Sequence, residues 1–339
     1  MDYKIAIIGS GSWGTALARL LGNKFNDVIM WAHEPDVAAS INEGHKNSLF
    51  LTDVELPSTI SATNDIALAL KGRNVVLSVV PAQSLRKVWE SAAKHLSSDA
   101  ILVSCTKGIE ADTLKLPADI LTDCLPDHPQ QKMVCLSGPS FAREVAQDLP
   151  TAVTIAGTDP NVTQDVQGIL RTDTFLTFTH DDVIGIEVGG AIKNVIAIAT
   201  GVSDGLGYGR NTRAAIITRG LYEISKIGLS MGAKPHTFMG LAGVGDLVLT
   251  ATDELSRNYS VGSRLGSGEA IDDIVASMTM VAEGYATAAA VYEFVSQREI
   301  SAPICATVYQ MLYKGLSPRN AAKKLCSATL AEELRAVAR

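Results

Sequence analysis

Lys4-Ile5-Ala6-Ile7-Ile8-Gly9-Ser10-Gly11-Ser12-Trp13-Gly14-Thr15-Ala16-Leu17-Ala18-Arg19-Leu20-Leu21-Gly22 joins an apolar run to a helix-period stretch through three glycines spaced as GxGxxG. The pattern alone is common, but its placement between a first strand and a first helix is not. In that setting the glycines let the chain turn tightly and let a pyrophosphate approach the positive end of the helix. Gly9, Gly11 and Gly14 are therefore candidate dinucleotide contacts. About 20 residues further on, where an acidic side chain grips the ribose of NAD, the chain reads Trp31-Ala32-His33-Glu34. Glu34 suits a ribose 2'-hydroxyl and His33 suits a 2'-phosphate, so the pattern leaves NAD or NADP open as the cofactor.

Short apolar or β-branched runs recur up to about residue 180: Lys4 to Ile8, Val28 to Ala32, Val75 to Val80, Ile101 to Cys105, Met133 to Leu136 and Ala152 to Ile155. Helical patterns over Gly14 to Gly22, Ser84 to His95 and Asn161 to Leu170 alternate with them. Continuous apolar strands alternating with helices predict a parallel sheet covered on both faces, the doubly wound (Rossmann) α/β arrangement. Beyond residue 183 the strand signal ends. Helix-period segments follow over Gly185 to Thr200, Arg213 to Ile227, Tyr285 to Ser296 and Ala306 to Tyr313, with a last helix opened by Ser317-Pro318. The expected organisation is a nucleotide-binding domain over 1–182 and an all-α domain over 183–339.

Composition narrows the function. At 339 residues the chain exceeds what one core normally serves. Its formal net charge of -7, with no long Lys/Arg run, argues against nucleic-acid or anionic-membrane partners. An anionic substrate must then be held by a few placed cations. Cys105, Cys124, Cys135, Cys305 and Cys326 form no CxxC pair, which predicts reduced thiols and a cytoplasmic location. The histidines form no metal-ligand spacing, and no metal is expected. The N-terminus has no signal-peptide pattern, and no run reaches the roughly 18 apolar residues of a membrane span.

Three later segments carry candidate chemistry. Ser104-Cys105-Thr106-Lys107-Gly108 places a lysine just past a buried strand. Gly185 to Thr200 surrounds Lys193 with apolar residues, which would lower its pKa and suit it to proton transfer. Gly240-Leu-Ala-Gly243-Val-Gly245-Asp246 presents a single acid in a glycine-rich apolar run, followed by Ser256-Arg257-Asn258, whose groups suit phosphate oxygens.

Taken together, GSGSWGTALA, SCTKGIE, LSGPSFARE, EVGGAIKNVIAIATG, GLAGVGDLVLTAT, SRNYSVG and VAEGYATA closely resemble the bacterial-type NAD(P)-dependent glycerol-3-phosphate dehydrogenases, in that family's order over nearly the whole chain. The resemblance implies hydride transfer between NAD(P)H and dihydroxyacetone phosphate, giving sn-glycerol 3-phosphate for phospholipid synthesis, by a homodimer. It assigns Lys193 as proton donor and acceptor. Lys107, Gly138, Ser140, Asp246, Ser256, Arg257 and Asn258, with Lys193, are assigned to the substrate. Ser12, Trp13, His33, Lys107, Ala142, Arg257, Val281 and Glu283 are assigned to the cofactor. Ser140 departs from the threonine common in the family but keeps the hydroxyl, and Trp13 stands where Tyr or Phe also occurs. Other two-domain dehydrogenases act on different small hydroxy acids or phosphosugars; the SRN segment with Lys107 and Lys193 favours a compact three-carbon phosphate.

Overall fold

The computed structural model describes residues 3–278, 280 and 282–327. Its chain divides into two compact units, one of 1–106 and 117–183 and the other of 107–116 and 184–339. The first unit runs β1 (Ile5–Ile8), α1 (Ser12–Gly22), β2 (Val28–Trp31), α2 (Pro35–Gly44), β3 (Lys46–Asn47), β4 (Leu51–Glu55), β5 (Ile60–Thr63), α3 (Ile66–Leu70), β6 (Val75–Ser78), α4 (Ala82–Ala92), β7 (Ile101–Ser104), α5 (Pro117–Cys124), β8 (Met133–Ser137), α6 (Ala142–Ala146), β9 (Thr151–Gly157), α7 (Pro160–Leu170) and β10 (Phe175–His180). Among the described residues eight strands form one sheet in the order β10-β9-β8-β7-β6-β1-β2-β5. In β1, Ile5 and Ile7 join one core while Ala6 and Ile8 join the core on the opposite face. A strand buried on both sides needs an unbroken apolar run, which is why β1 does not alternate. The strand order reverses between β1 and β6, so the loop after β1 opens at the switch point of the sheet.

The sheet is parallel as expected except at β9, which pairs antiparallel with β8, Cys135 facing Ala156. A parallel return usually uses a helix long enough to carry the chain back along the strand. Here the connection holds only the five-residue α6. The eleven-residue α7 then does provide such a crossover, and β10 lies parallel to β9. Strands β3, β4 and β5 carry too few apolar residues to stand out in the sequence; in β10 Leu176 and Phe178 face outward.

The second unit is helical: α8 (Val183–Gly205), α9 (Arg210–Ser230), α10 (Asp246–Thr252), α11 (Arg257–Gly266), α12 (Ile271–Ala276), α13 (Glu283–Gln297), α14 (Pro303–Tyr313) and α15 (Pro318–Ser327). Among the described residues α8 alone is long and apolar enough to cross a membrane, and 89% of that stretch is buried inside the protein. It is the axis of the unit's core, which also takes in Ile109 and Leu116 from the 107–116 segment. Glycines set its closest packing. A Cβ on Gly201 would lie 2.1 Å from the Tyr259 carbonyl oxygen, and one on Gly262 would lie 2.1 Å from that of Ile198. Gly205 and Gly266 repeat the contact one turn later. Two four-residue glycine spacings thus bring the backbones of α8 and α11 together.

Because those contacts are with rigid backbone, Gly262→Ala should destabilise the unit by about 1 to 3 kcal/mol or more, in the range of overpacked cores. Gly168 lies inside α7 with open space around it. Gly168→Ala should instead stabilise by about 0.5 to 1 kcal/mol. Urea unfolding of both variants checks the contrast.

Candidate active site

In the first unit the glycines of the GxGxxG loop do three different jobs. A Cβ at Gly9, where φ is +119°, would strike the Val79 carbonyl oxygen at 2.5 Å, and one at Gly14 would strike the Gly9 oxygen at 2.0 Å. Those two are fixed by the protein's own backbone. Gly11 has nothing within 4 Å of its Cβ position and lies at the N-cap of α1, with no side-chain cap there. The first-turn N–H groups of an eleven-residue helix beside open space suit a pyrophosphate by both geometry and dipole. Trp13 packs against the core, and its indole N–H has no hydrogen-bond partner among the described residues. His33 is exposed just after β2, with its ring 6.0 Å from that of Trp31. Gly138 follows β8, the Ser140 hydroxyl donates to the Gly138 carbonyl at 3.0 Å, and Ala142 opens α6. These features fit a dinucleotide. Ser78, at another strand end, is spent on packing: its hydroxyl accepts from the Trp89 indole at 2.8 Å.

The second unit builds a charged centre around Asp246, only 1% exposed. A Cβ on Gly189 would lie 2.4 Å from the Ala242 oxygen, so this glycine lets the turn over Leu241–Gly245 settle on α8. One helical turn beyond Gly189 is Lys193, and Asp246 opens α10 directly after that turn. Lys193 Nζ donates to Asp246 Oδ1 at 2.7 Å and to Thr250 Oγ1 at 2.6 Å. Thr250, one turn after Asp246, donates its own hydroxyl to Oδ1 at 3.2 Å. Lys107 Nζ holds the other carboxylate oxygen at 2.7 Å.

The electrostatics follow from this packing. Burial pushes the Lys193 ammonium down to about 8; Asp246 opposes the shift, while the positive charges of Lys107 and Arg257 assist it. Burial also pushes the Asp246 acid up, but the two lysines outweigh it and hold the group below the usual carboxylate range. Two ammonium groups on one carboxylate leave an excess of positive charge. Nearby, burial lowers the Arg257 guanidinium and the charge of Glu283 partly restores it.

The structure thus brings Lys107, Lys193 and Asp246 into one cluster, with Thr250 as a member that the sequence reading missed. Its spacing of four from Asp246 was the available signal. Ser256 Oγ caps α11, accepting from the Tyr259 N–H at 3.2 Å. Asn258 is a cross-link: Nδ2 donates to Asn194 Oδ1 at 2.9 Å and Oδ1 accepts from the Gly284 N–H at 2.9 Å. That leaves one N–H of Asn258 uncommitted among these bonds. Glu283 stands in the first turn of α13, and Val281 lies outside the described residues.

A doubly wound nucleotide unit followed by a helical unit with a buried lysine paired to a carboxylate defines a two-domain nicotinamide-dependent dehydrogenase. Family models for the N-terminus and C-terminus of NAD-dependent glycerol-3-phosphate dehydrogenase match residues 4–163 and 182–323. The chain belongs to that family. It is 49% identical to the glycerol-3-phosphate dehydrogenase (NAD(P)+) of Citrifermentans bemidjiense over 98% of this chain and 99% of that protein. The crystal structure of glycerol-3-phosphate dehydrogenase from Coxiella burnetii is similar with a TM-score of 0.92 and 36% identity, covering 96% of this chain and 99% of that one. The yeast enzyme, from Saccharomyces cerevisiae, gives 0.81 and 28%, covering 95% and 99%.

The open space at Gly11 separates folding from binding. Gly11→Val should fold with a near-normal melting temperature yet lose NADH and NADPH binding, whereas Gly9→Ala should lose stability first. Thermal melts read beside fluorescence titration of the reduced cofactors distinguish the two.

Proposed function

We infer that this chain is an NAD(P)-dependent glycerol-3-phosphate dehydrogenase, interconverting dihydroxyacetone phosphate and sn-glycerol 3-phosphate. The observation that carries the reading is the carboxylate of Asp246 shared by Lys193 and Lys107, in a chain that matches 99% of the length of a relative. When bound, the reduced nicotinamide supplies the hydride to C2 of the ketone. Lys193, as ammonium, delivers the proton to the carbonyl oxygen as negative charge develops there, and takes it back in the oxidative direction. Asp246 keeps that ammonium charged in spite of burial and holds its position with Thr250. Lys107 adds positive charge beside the same oxygen. Arg257 with Ser256, at the start of α11, holds the phosphate, aided by the free N–H of Asn258. Gly138 and Ser140 belong to the substrate side, and His33, Ala142, Val281 and Glu283 to the cofactor side, on the family resemblance. Supply of glycerol 3-phosphate for phospholipid synthesis, a cytoplasmic location and a homodimer complete the proposal. The five scattered cysteines, with no CxxC pair, support the location.

The deciding assay follows oxidation of NADH and of NADPH with dihydroxyacetone phosphate and with unphosphorylated dihydroxyacetone. Rapid turnover of the phosphate alone is expected. Arg257→Ala should cut kcat/KM for the phosphate at least about tenfold, the loss of a charge-assisted bond of about 1.5 to 3 kcal/mol. An equal loss for both ketones would remove Arg257 from the phosphate site.

Lys193 makes a signed pH prediction. Reduction needs the ammonium, so kcat/KM should be level below about pH 8 and fall above it. Oxidation needs the neutral amine and should rise through the same range. Lys193→Ala should lower kcat by about 10² to 10⁴ with cofactor binding retained. Lys193→Arg should not rescue it, because a guanidinium stays protonated. A near-normal kcat in folded Lys193→Ala would show the proton comes from elsewhere.

A further inference from the structure

Asn47 lies between α2 and β4, far in sequence from the glycine loop, and is completely buried. Its amide is fully used. Nδ2 donates to the Ser10 carbonyl at 2.7 Å and to Thr15 Oγ1 at 2.8 Å. Oδ1 accepts from the backbone N–H groups of Leu49 at 3.2 Å and Phe50 at 3.0 Å. Two further bonds reinforce the arrangement. The Thr15 hydroxyl donates to the same Ser10 carbonyl at 3.2 Å, and the Ser12 hydroxyl donates to the Phe50 carbonyl at 2.7 Å.

The Ser10 carbonyl belongs to the peptide whose other edge is the N–H of Gly11. A peptide is planar and trans, so its C=O and N–H point in opposite directions. Drawing the Ser10 oxygen inward onto Asn47 and Thr15 therefore turns the Gly11 N–H away from those groups. Gly11 is also the residue of this loop with open space at its Cβ position. From this geometry we propose that Asn47 is a positioning residue for the dinucleotide, setting the Ser10–Gly11 peptide for the pyrophosphate and holding the segment Asn47–Phe50 against the loop. The proposal rests on the reading of the glycine loop as the pyrophosphate site.

A purely structural role, closing the turn before β4, makes a different forecast, because lost folding stability does not alter the affinity of the molecules that remain folded. Four variants of the full chain separate the readings, each with a melting temperature, Kd for NADH and NADPH by fluorescence titration, and steady-state constants. Asn47→Ala should raise Kd and KM for the reduced cofactor about tenfold or more, equivalent to about 1.4 kcal/mol, with KM for dihydroxyacetone phosphate and kcat at saturating cofactor within about twofold. Asn47→Asp preserves the volume and the acceptor for Leu49 and Phe50. It loses both donors and sets a carboxylate close to the loop, so the cofactor constants should rise further, and this near-isosteric variant carries the test where Asn47→Ala does not fold.

Asn42 supplies the control. It makes a comparable pair of bonds with the Ala62 backbone, both at 2.8 Å, outside the loop. Asn42→Ala should lower the melting temperature and leave the cofactor constants unchanged. Gly11→Val tests the underlying reading separately: normal cofactor binding there would overturn the loop assignment itself. Loss of binding in Gly11→Val with unchanged cofactor constants in folded Asn47→Asp would overturn the role of Asn47 alone.

Discussion

The carboxylate of Asp246 is the point around which the buried charges of the helical unit are arranged. A buried acid is costly unless its charge is met and its lone pairs are filled. Lys193 and Thr250 fill one oxygen and Lys107 the other. The same arrangement leaves Lys193 in a useful state. Burial alone would drive the ammonium toward neutrality, and the carboxylate alone would lock its proton on. Their opposition leaves a pKa of about 8, close to neutral, where a proton can move in either direction.

Backbone packing makes that carboxylate reachable. Asp246 meets Lys193 because Gly189 carries no side chain and the turn before α10 rests on α8. Ser256, Arg257 and Asn258 take their places because α8 and α11 touch through Gly201, Gly205, Gly262 and Gly266. Gly284 lets α13 close on the Asn194 and Asn258 amides in the same way. The glycines of this unit are thus part of how its polar groups are aligned, since a methyl group at these positions would have to displace backbone. The segment 107–116 adds the remaining cation. Ile109 and Leu116 anchor it in the helical core, so Lys107 leaves the end of β7 and is held against Asp246.

In the nucleotide unit the division of labour is similar. Gly9 and Gly14 serve the protein's own backbone, while Gly11 keeps space free. The loop is then held from outside by Asn47, Thr15 and Ser12, whose bonds tie it to a segment some 35 residues later in the chain.

Sequence by itself determined the glycine loop after β1, the strands of the sheet's centre and the change to helices near residue 183, and it marked Lys193, Asp246 and Lys107 as candidates. These were legible because each rests on local information: glycine spacing after an apolar strand, apolar periodicity, and a lone charge in an apolar run. The antiparallel β9, the pairing of Lys107 and Lys193 on one carboxylate, the bond from Lys193 to Thr250, the use of the Asn258 side chain as a cross-link and the bonds of Asn47 to the glycine loop were decided only by tertiary structure. Each depends on which backbones approach and which lone pairs are already filled. The bonds of Asn47 to Thr15 and of Lys107 to Asp246 join residues 32 and 139 positions apart, and such pairings leave no trace in either partner's immediate neighbours.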